Sequence, residues 1–159
     1  MTGPRQSDRA GHGIVVSEVT TATPEIVEAL GRLIPQLSTS APLPTTAEVA
    51  EIASSAATVL LAAHDDAGAI VGSLTLVLFR APTGPRAWIE DVVVDTSIRG
   101  QGIGAALVLD ALDRATAAGA RTVDLTSRPS RDAANRLYVR LGFEQRATNV
   151  YRWSRPDIG

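Results

Sequence analysis

Arg99-Gly100-Gln101-Gly102-Ile103-Gly104 follows closely on Ile89-Glu90-Asp91-Val92-Val93-Val94-Asp95, and the reading of these two runs decides the fold. The valines and Ile89 form a β-branched strand apolar enough to be covered on both faces. After Gly104, residues Ala105, Val108, Leu109 and Leu112 repeat at helical spacing, with Asp110, Asp113 and Arg114 on another face. Three alternate glycines therefore stand where a strand passes into a helix. Unpaired N–H groups and the positive end of the helix dipole attract an anion there, and glycine lets a diphosphate approach the backbone. A glycine-rich flexible turn would look the same on the glycines alone.

Spacing weighs against two nucleotide-binding alternatives. A dinucleotide fold needs its first glycine just after the strand, whereas Asp95 to Arg99 intervene here, and Ala105 and Leu107 occupy the positions a third glycine would take. A Walker loop needs a lysine. The chain has 159 residues and 15 Lys+Arg, every one of them arginine. The missing lysine also excludes Schiff-base chemistry on pyridoxal phosphate. With no Cys, thiol nucleophiles, disulfides and iron–sulfur clusters are excluded, and two His (His12, His64) are too few for a His-rich metal site. No metal is expected.

Working outward, residues 14–19 suggest a first strand. Thr23 and Pro24 open a helix that Pro35 should stop, and Thr45 with Glu48 forms a capping box for a second helix through Ser54. Residues 58–64 and 69–80 read as a hairpin about the Asp65-Asp66-Ala67-Gly68 turn, and a loop over 81–86 leads to the strand over 88–95. Gly119 ends the long helix. A strand over 122–127, a helix over 131–141 capped by Ser130, and a hairpin of 143–146 with 149–154 complete the order βααβββαβαββ. A single domain over 13–159 behind a flexible tail over 1–12 is expected.

The net charge is −2 and no run of five like charges occurs, so nucleic acid is not an expected partner. No apolar stretch approaches the ~18 residues of a membrane span, and the first dozen residues lack a signal-peptide core. A cytoplasmic protein without membrane association is the default expectation.

Taken together, the glycine loop, the Ile89–Asp95 run and Tyr138-Val139-Arg140-Leu141-Gly142-Phe143 resemble, in the same order, three motifs of the GNAT superfamily of N-acetyltransferases. The resemblance covers residues 58–153 by motif and the first 57 by layout. It implies an α/β fold with a mixed, mostly antiparallel sheet of about seven strands, a splayed parallel pair and about four helices. It also implies acetyl-coenzyme A as co-substrate. Arg99, Gly100, Gln101, Gly102, Ile103 and Gly104 would hold the pyrophosphate, and the backbone of Val92, Val93 and Val94 the pantetheine arm.

By the same resemblance Tyr138 is the general acid that protonates the departing thiolate. Gly142 would end its helix in the left-handed conformation and bring Phe143 against the last turn, bracing the tyrosine. Glu90 and Asp91 are candidate bases for the acceptor ammonium. Period-two alternation sends them to opposite faces, so at most one is well placed, and Glu90 is preferred. Where many members carry Asn seven residues before the tyrosine, this chain has Arg131. Asn135, three before it, is assigned to the coenzyme, and Arg128 and Arg131 to its phosphates. The expected acceptor is a small-molecule primary amine, with a protein amino group or a non-catalytic coenzyme A sensor as alternatives. The Ile-Glu-Asp run resembles that of glucosamine-phosphate acetyltransferases, with Arg80 and Arg86 as candidate phosphate ligands. A homodimer is compatible with the family.

Overall fold

A computed structural model describes residues 13–156; the expected tail over 1–12, with His12, lies outside them. Five strands form one sheet in the order β1-β2-β3-β4-β5. They are β1 (Val15–Glu18), β2 (Thr58–His64), β3 (Ile70–Ala81), β4 (Gly84–Val94) and β5 (Val123–Asp124). The first three pairings are antiparallel and β4–β5 is parallel. Four helices flank the sheet: α1 (Pro24–Leu37), α2 (Thr46–Ser54), α3 (Ile103–Ala117) and α4 (Asp132–Arg140). The fold is thus mixed and mostly antiparallel as expected, with five strands rather than about seven among the described residues.

Strand alternation builds two cores. Leu60 and Ala62 pack with Ile26, Leu30 and Val49 of α1 and α2. Leu61 and Ala63 point the other way, toward Leu74, Leu76 and the Ile103–Leu107–Val108 face of α3. Close approach of α3 to the sheet rests on Gly72. A Cβ there would lie 3.1 Å from Ile103 Cγ2 and 3.2 Å from Leu107 Cδ1.

The helix signals are realised with two exceptions. Thr45 and Glu48 make the reciprocal capping box, and Thr23 Oγ1 accepts from the Ile26 N–H. Pro35 does not stop α1, which runs on to Leu37; in the last turn its ring forfeits only one backbone bond. Ser130 does not cap α4. The N-cap is Arg131, without a side-chain bond to the first turn.

The strand boundaries differ more. β3 and β4 extend toward each other through Ala81↔Gly84, replacing the expected loop over 81–86 with a tight hairpin. The strand expected over 122–127 is reduced to Val123–Asp124, because only Ala87 and Trp88 of β4 pair with it. Residues 143–154 form no strand, so the closing hairpin is absent, and Val150, Tyr151 and Trp153 stay 72%, 88% and 80% exposed. The alternating pattern was local evidence; pairing needs a partner edge, and none is engaged there.

β4 and β5 part at a defined point. Ser73 pairs with Val93 but Thr75 with Glu90, so β4 carries one extra residue opposite β3. That bulge contains Asp91 at φ 51°, the one described non-glycine residue with positive φ. A bulge bends its strand and sharpens the twist. Beyond Trp88, β4 has no paired strand on its β5 side.

Candidate active site

A cleft of about 1200 Å³ opens between the diverging ends of β4 and β5. Its floor is Ile89, Glu90, Asp91, Val92 and Val94; its far lip is Leu125, Thr126 and Ser127. Helices α3 and α4 both direct their N-termini at it, through Gly102–Ala105 on one side and Ser130–Ala134 on the other. Neither end has a side-chain cap. First-turn amides of both helices are thus free for an anion, and the two dipoles reinforce one another.

The glycine loop is shaped for this. Asp95 caps a 3₁₀ turn over Thr96–Ile98, accepting from the Ser97 N–H at 3.0 Å and the Ser97 hydroxyl at 2.8 Å. Those two bonds hold the Asp95 carboxyl below the usual carboxylate range; burial opposes them, and Arg32 adds smaller help. From α1, Arg32 lies 3.4 Å from Asp95 and donates to the Ile70 carbonyl at 2.6 Å, while Gln36 accepts from the Thr96 N–H at 2.8 Å. The loop thus leaves from a braced point. Gly100 and Gly102 then adopt φ 86° and 76°, and Gly102 is the N-cap of α3. Gly104 faces Leu137 of α4, 3.2 Å from where a Cβ would stand.

Arg99, Gly100, Gly102, Ile103 and Gly104 line the cleft, as do Val92 and Val94. Val93 turns into the core at 3% exposure and is not part of the cleft wall. Gln101 is exposed and off the cleft wall. Asn135 is likewise off it: its amide donates to the Arg128 carbonyl at 3.0 Å, fixing the turn before α4. Arg80 and Arg86 sit at the distal hairpin, where Arg86 donates to Thr83, and do not reach the cleft.

The expectation that Glu90 and Asp91 diverge is overturned. Both are exposed and both line the cleft, because the bulge at Asp91 suspends period-two alternation at that residue. Glu90 accepts from the Trp88 indole N–H at 2.8 Å, which orients its carboxylate.

Tyr138 is the most deeply buried residue of α4, at 8% exposure, yet it lines the cleft. Burial pushes its phenol above the ordinary 10.0, and the Arg131 guanidinium partly offsets this. Gly142 at φ 97° closes the helix as the sequence suggested, with Gly142 N–H to Val139 O at 3.1 Å and Phe143 N–H to Tyr138 O at 2.9 Å. Phe143 meets the Tyr138 ring edge-on, centroids 5.8 Å apart at 64°.

Among the cleft residues that sequence reasoning missed are Arg136, Arg140, Arg152 and Ser127. The two on α4 carry an i, i+4 signal that was legible; Arg152 comes from the irregular C-terminal segment, and Ser127 stood out in no motif. Six arginines line the cleft, the sixth being Arg99 beside Arg128 and Arg131, against the carboxylates Glu90, Asp91 and Asp132. The wall is therefore cationic although the whole chain is not.

A profile of the acetyltransferase (GNAT) family matches residues 28–143. Glucosamine 6-phosphate N-acetyltransferase of Trypanosoma brucei brucei is 41% identical over 83 residues, 50% of this chain and 54% of that enzyme. The match thus spans about half the length of that relative. Among solved structures, a putative acetyltransferase from Agrobacterium tumefaciens superposes with TM-score 0.77 at 26% identity, covering 88% of this chain and 99% of the other. A Trypanosoma brucei acetyltransferase gives TM-score 0.69 at 28% identity, over 89% and 99%. With the family profile extending from α1 through Phe143, the chain belongs to the GNAT family of acetyltransferases.

Proposed function

We propose that this protein transfers the acetyl group of acetyl-coenzyme A to the primary amine of a small molecule. The observation that carries the reading is the convergence of two uncapped helix N-termini and six arginines on one cleft that also holds Tyr138, Glu90 and Asp91. Such a wall suits a ligand bearing several phosphates, and the opening between β4 and β5 suits an extended arm with amide groups. Acetyl-coenzyme A supplies the acetyl group as an activated thioester.

Each residue then has a task. Amides of residues 103–105, with Arg99, hold the diphosphate. Backbone groups of residues 92–94 align the arm. Glu90, oriented by Trp88, or Asp91 takes the proton that an amine of pKa ~10.4 carries at neutral pH. The freed amine forms the new C–N bond as the C–S bond breaks, and Tyr138 gives its proton to sulfur. Positioning supplies much of the rate. The trypanosome relative favours an amino sugar as acceptor, and a cationic wall tolerates a phosphorylated one.

Thiol release measured across amino sugars, glucosamine 6-phosphate, amino acids, polyamines and peptides tests this. Release with at least one small amine is expected; release only with peptides would favour a protein acceptor. Coenzyme A binding without release in any arm would leave a sensor module. A second expectation concerns the brace on Tyr138. Phe143→Ala should lower kcat several-fold more than it raises the coenzyme KM, because the edge contact orients the phenol and touches no phosphate. Equal changes in both parameters, or none, would sink that role.

A further inference from the structure

The face of the sheet turned away from α3 is only partly covered. Ala87 and Ile89 of β4 sit in the core against α3, at 0% and 3% exposure, so Trp88 and Glu90 project from the opposite face. Across β3, Val77 pairs with Trp88 and Thr75 with Glu90, and on the other side Asp124 of β5 pairs with Trp88. Leu60 and Ala62 of β2 fill that face against α1 and α2, but Val77, Phe79 and Trp88 belong to neither core cluster. Trp88 is half-buried and Phe79 is 43% exposed. The result is an apolar strip rimmed by Thr75, Glu90 and Asp124, the pattern of a ligand-binding surface.

The strip is continuous with the reacting end of the cleft. The Trp88 indole N–H donates to Glu90 Oε1 at 2.8 Å, which fixes the ring beside a carboxylate that lines the cleft. Glu90 Oε2 has no hydrogen-bond partner among the described residues, and neither has the half-buried Asp124 carboxylate on the ring's other flank. Both are placed to receive a cation or a hydroxyl that meets the ring.

We infer that Trp88 determines acceptor specificity: the open part of its ring is the platform for the C–H face of an amino-sugar ring, with the amino group directed at Glu90. This rests on the proposed acetyl transfer to a small amine. A pyranose has an apolar C–H face and a polar edge, and an indole flanked by Glu90, Asp124 and Thr75 presents the complement. Two residues of strand, about 6.6 Å, separate Trp88 from Glu90, a distance that a six-membered ring with one equatorial substituent spans. The carboxylates match the charge of the acceptor ammonium, whereas the arginines of the opposite wall suit phosphates. An acyclic amine has no face to lay on the ring.

Two substitutions separate the ring face from the indole N–H, with thiol release as the readout and the better used of glucosamine and its 6-phosphate as acceptor. Trp88→Leu loses both; its acceptor KM should rise about fivefold to tenfold while the coenzyme KM stays unchanged. Trp88→Phe keeps an aromatic face and should hold the acceptor KM within about twofold, lowering kcat through the lost bond to Glu90. Equal rises in acceptor KM for both variants, no rise in either, or a parallel rise in the coenzyme KM would overturn the inference. So would a sedimentation coefficient that changes only in Trp88→Leu, which would assign the strip to a second copy of the chain. Trp153→Phe supplies a check that does not depend on how those variants fold. Trp153 is 80% exposed and one of two tryptophans, so its removal leaves Trp88 as the sole emitter. Saturating sugar added to the coenzyme A complex should shift that emission, and an unchanged spectrum overturns the platform. A wild type that acetylates acyclic amines but no amino sugar also overturns it, while leaving the proposed reaction in place. Absence of thiol release with every amine overturns the reaction itself.

Discussion

Tyr138→Phe should lower kcat by on the order of 10²-fold or more, about 2.7 kcal/mol in the barrier at 1.36 kcal/mol per decade, with the coenzyme KM within about twofold. The substitution keeps the ring and so keeps the edge contact with Phe143 at 5.8 Å. It removes only the hydroxyl, for which no protein hydrogen bond exists among the described residues and which belongs to a residue on the cleft wall. Loss of stability is therefore not expected, and loss of turnover is. Because burial raises the phenol above 10.0, the proton that the proposed acid gives to sulfur is present at neutral pH. Any alkaline limb of kcat due to this group lies above pH 10 and disappears in the variant. The same raised value means that folding stability falls as pH rises through that window, since the native state holds the proton longer than the unfolded chain. Activity within threefold of wild type would remove Tyr138 as the acid.

Gly102→Val should weaken coenzyme A binding by about 100-fold, measured by calorimetry, with a smaller effect on the thermal midpoint. Gly102 caps α3 at φ 76°, ψ 12°, a region in which a β-branched residue is an outlier. To relieve that strain the loop must rotate, which turns the amides of residues 103–105 away from their common focus. Hydrogen bonds to a charged group contribute about 1.5–3 kcal/mol each, so losing one or two accounts for the expected change. Gly100→Ala is the control, because a Cβ at Gly100 meets nothing within 4 Å. It carries the same left-handed strain, at φ 86°, but lies outside the helix, and a smaller effect is expected. Equal effects from both variants would mean that loop flexibility matters rather than the aim of the α3 amides.

Much of this site is legible in the sequence. The glycines had to stand at a strand-to-helix junction because the valine run and the Ala105–Leu112 periodicity flank them. Gly142 had to close α4 because apolar spacing ends at Leu141, and the two bonds of the closing turn are present. Less legible were the positions set by what lies across the sheet. Glu90 and Asp91 alternate in sequence but share a cleft in space. Asn135, assigned to the coenzyme, ties the Arg128 carbonyl and stands off the cleft wall.

By itself, then, the sequence determined the element order as far as α4, the helix boundaries with local caps, the anion-seeking glycine loop and the reliance on arginine in a chain without lysine. These follow from forces acting within a few residues: dihedral limits, side-chain period and end-group hydrogen bonds. Only the tertiary structure decided where β4 bulges, how soon β5 leaves it, that residues 143–154 find no strand partner, and that Ser127 is left with a buried, unshared hydroxyl. Each of those depends on the register between strands distant in sequence. The β4–β5 ladder ends at Trp88 and Asp124, and the extra residue opposite Leu74 follows just beyond that point.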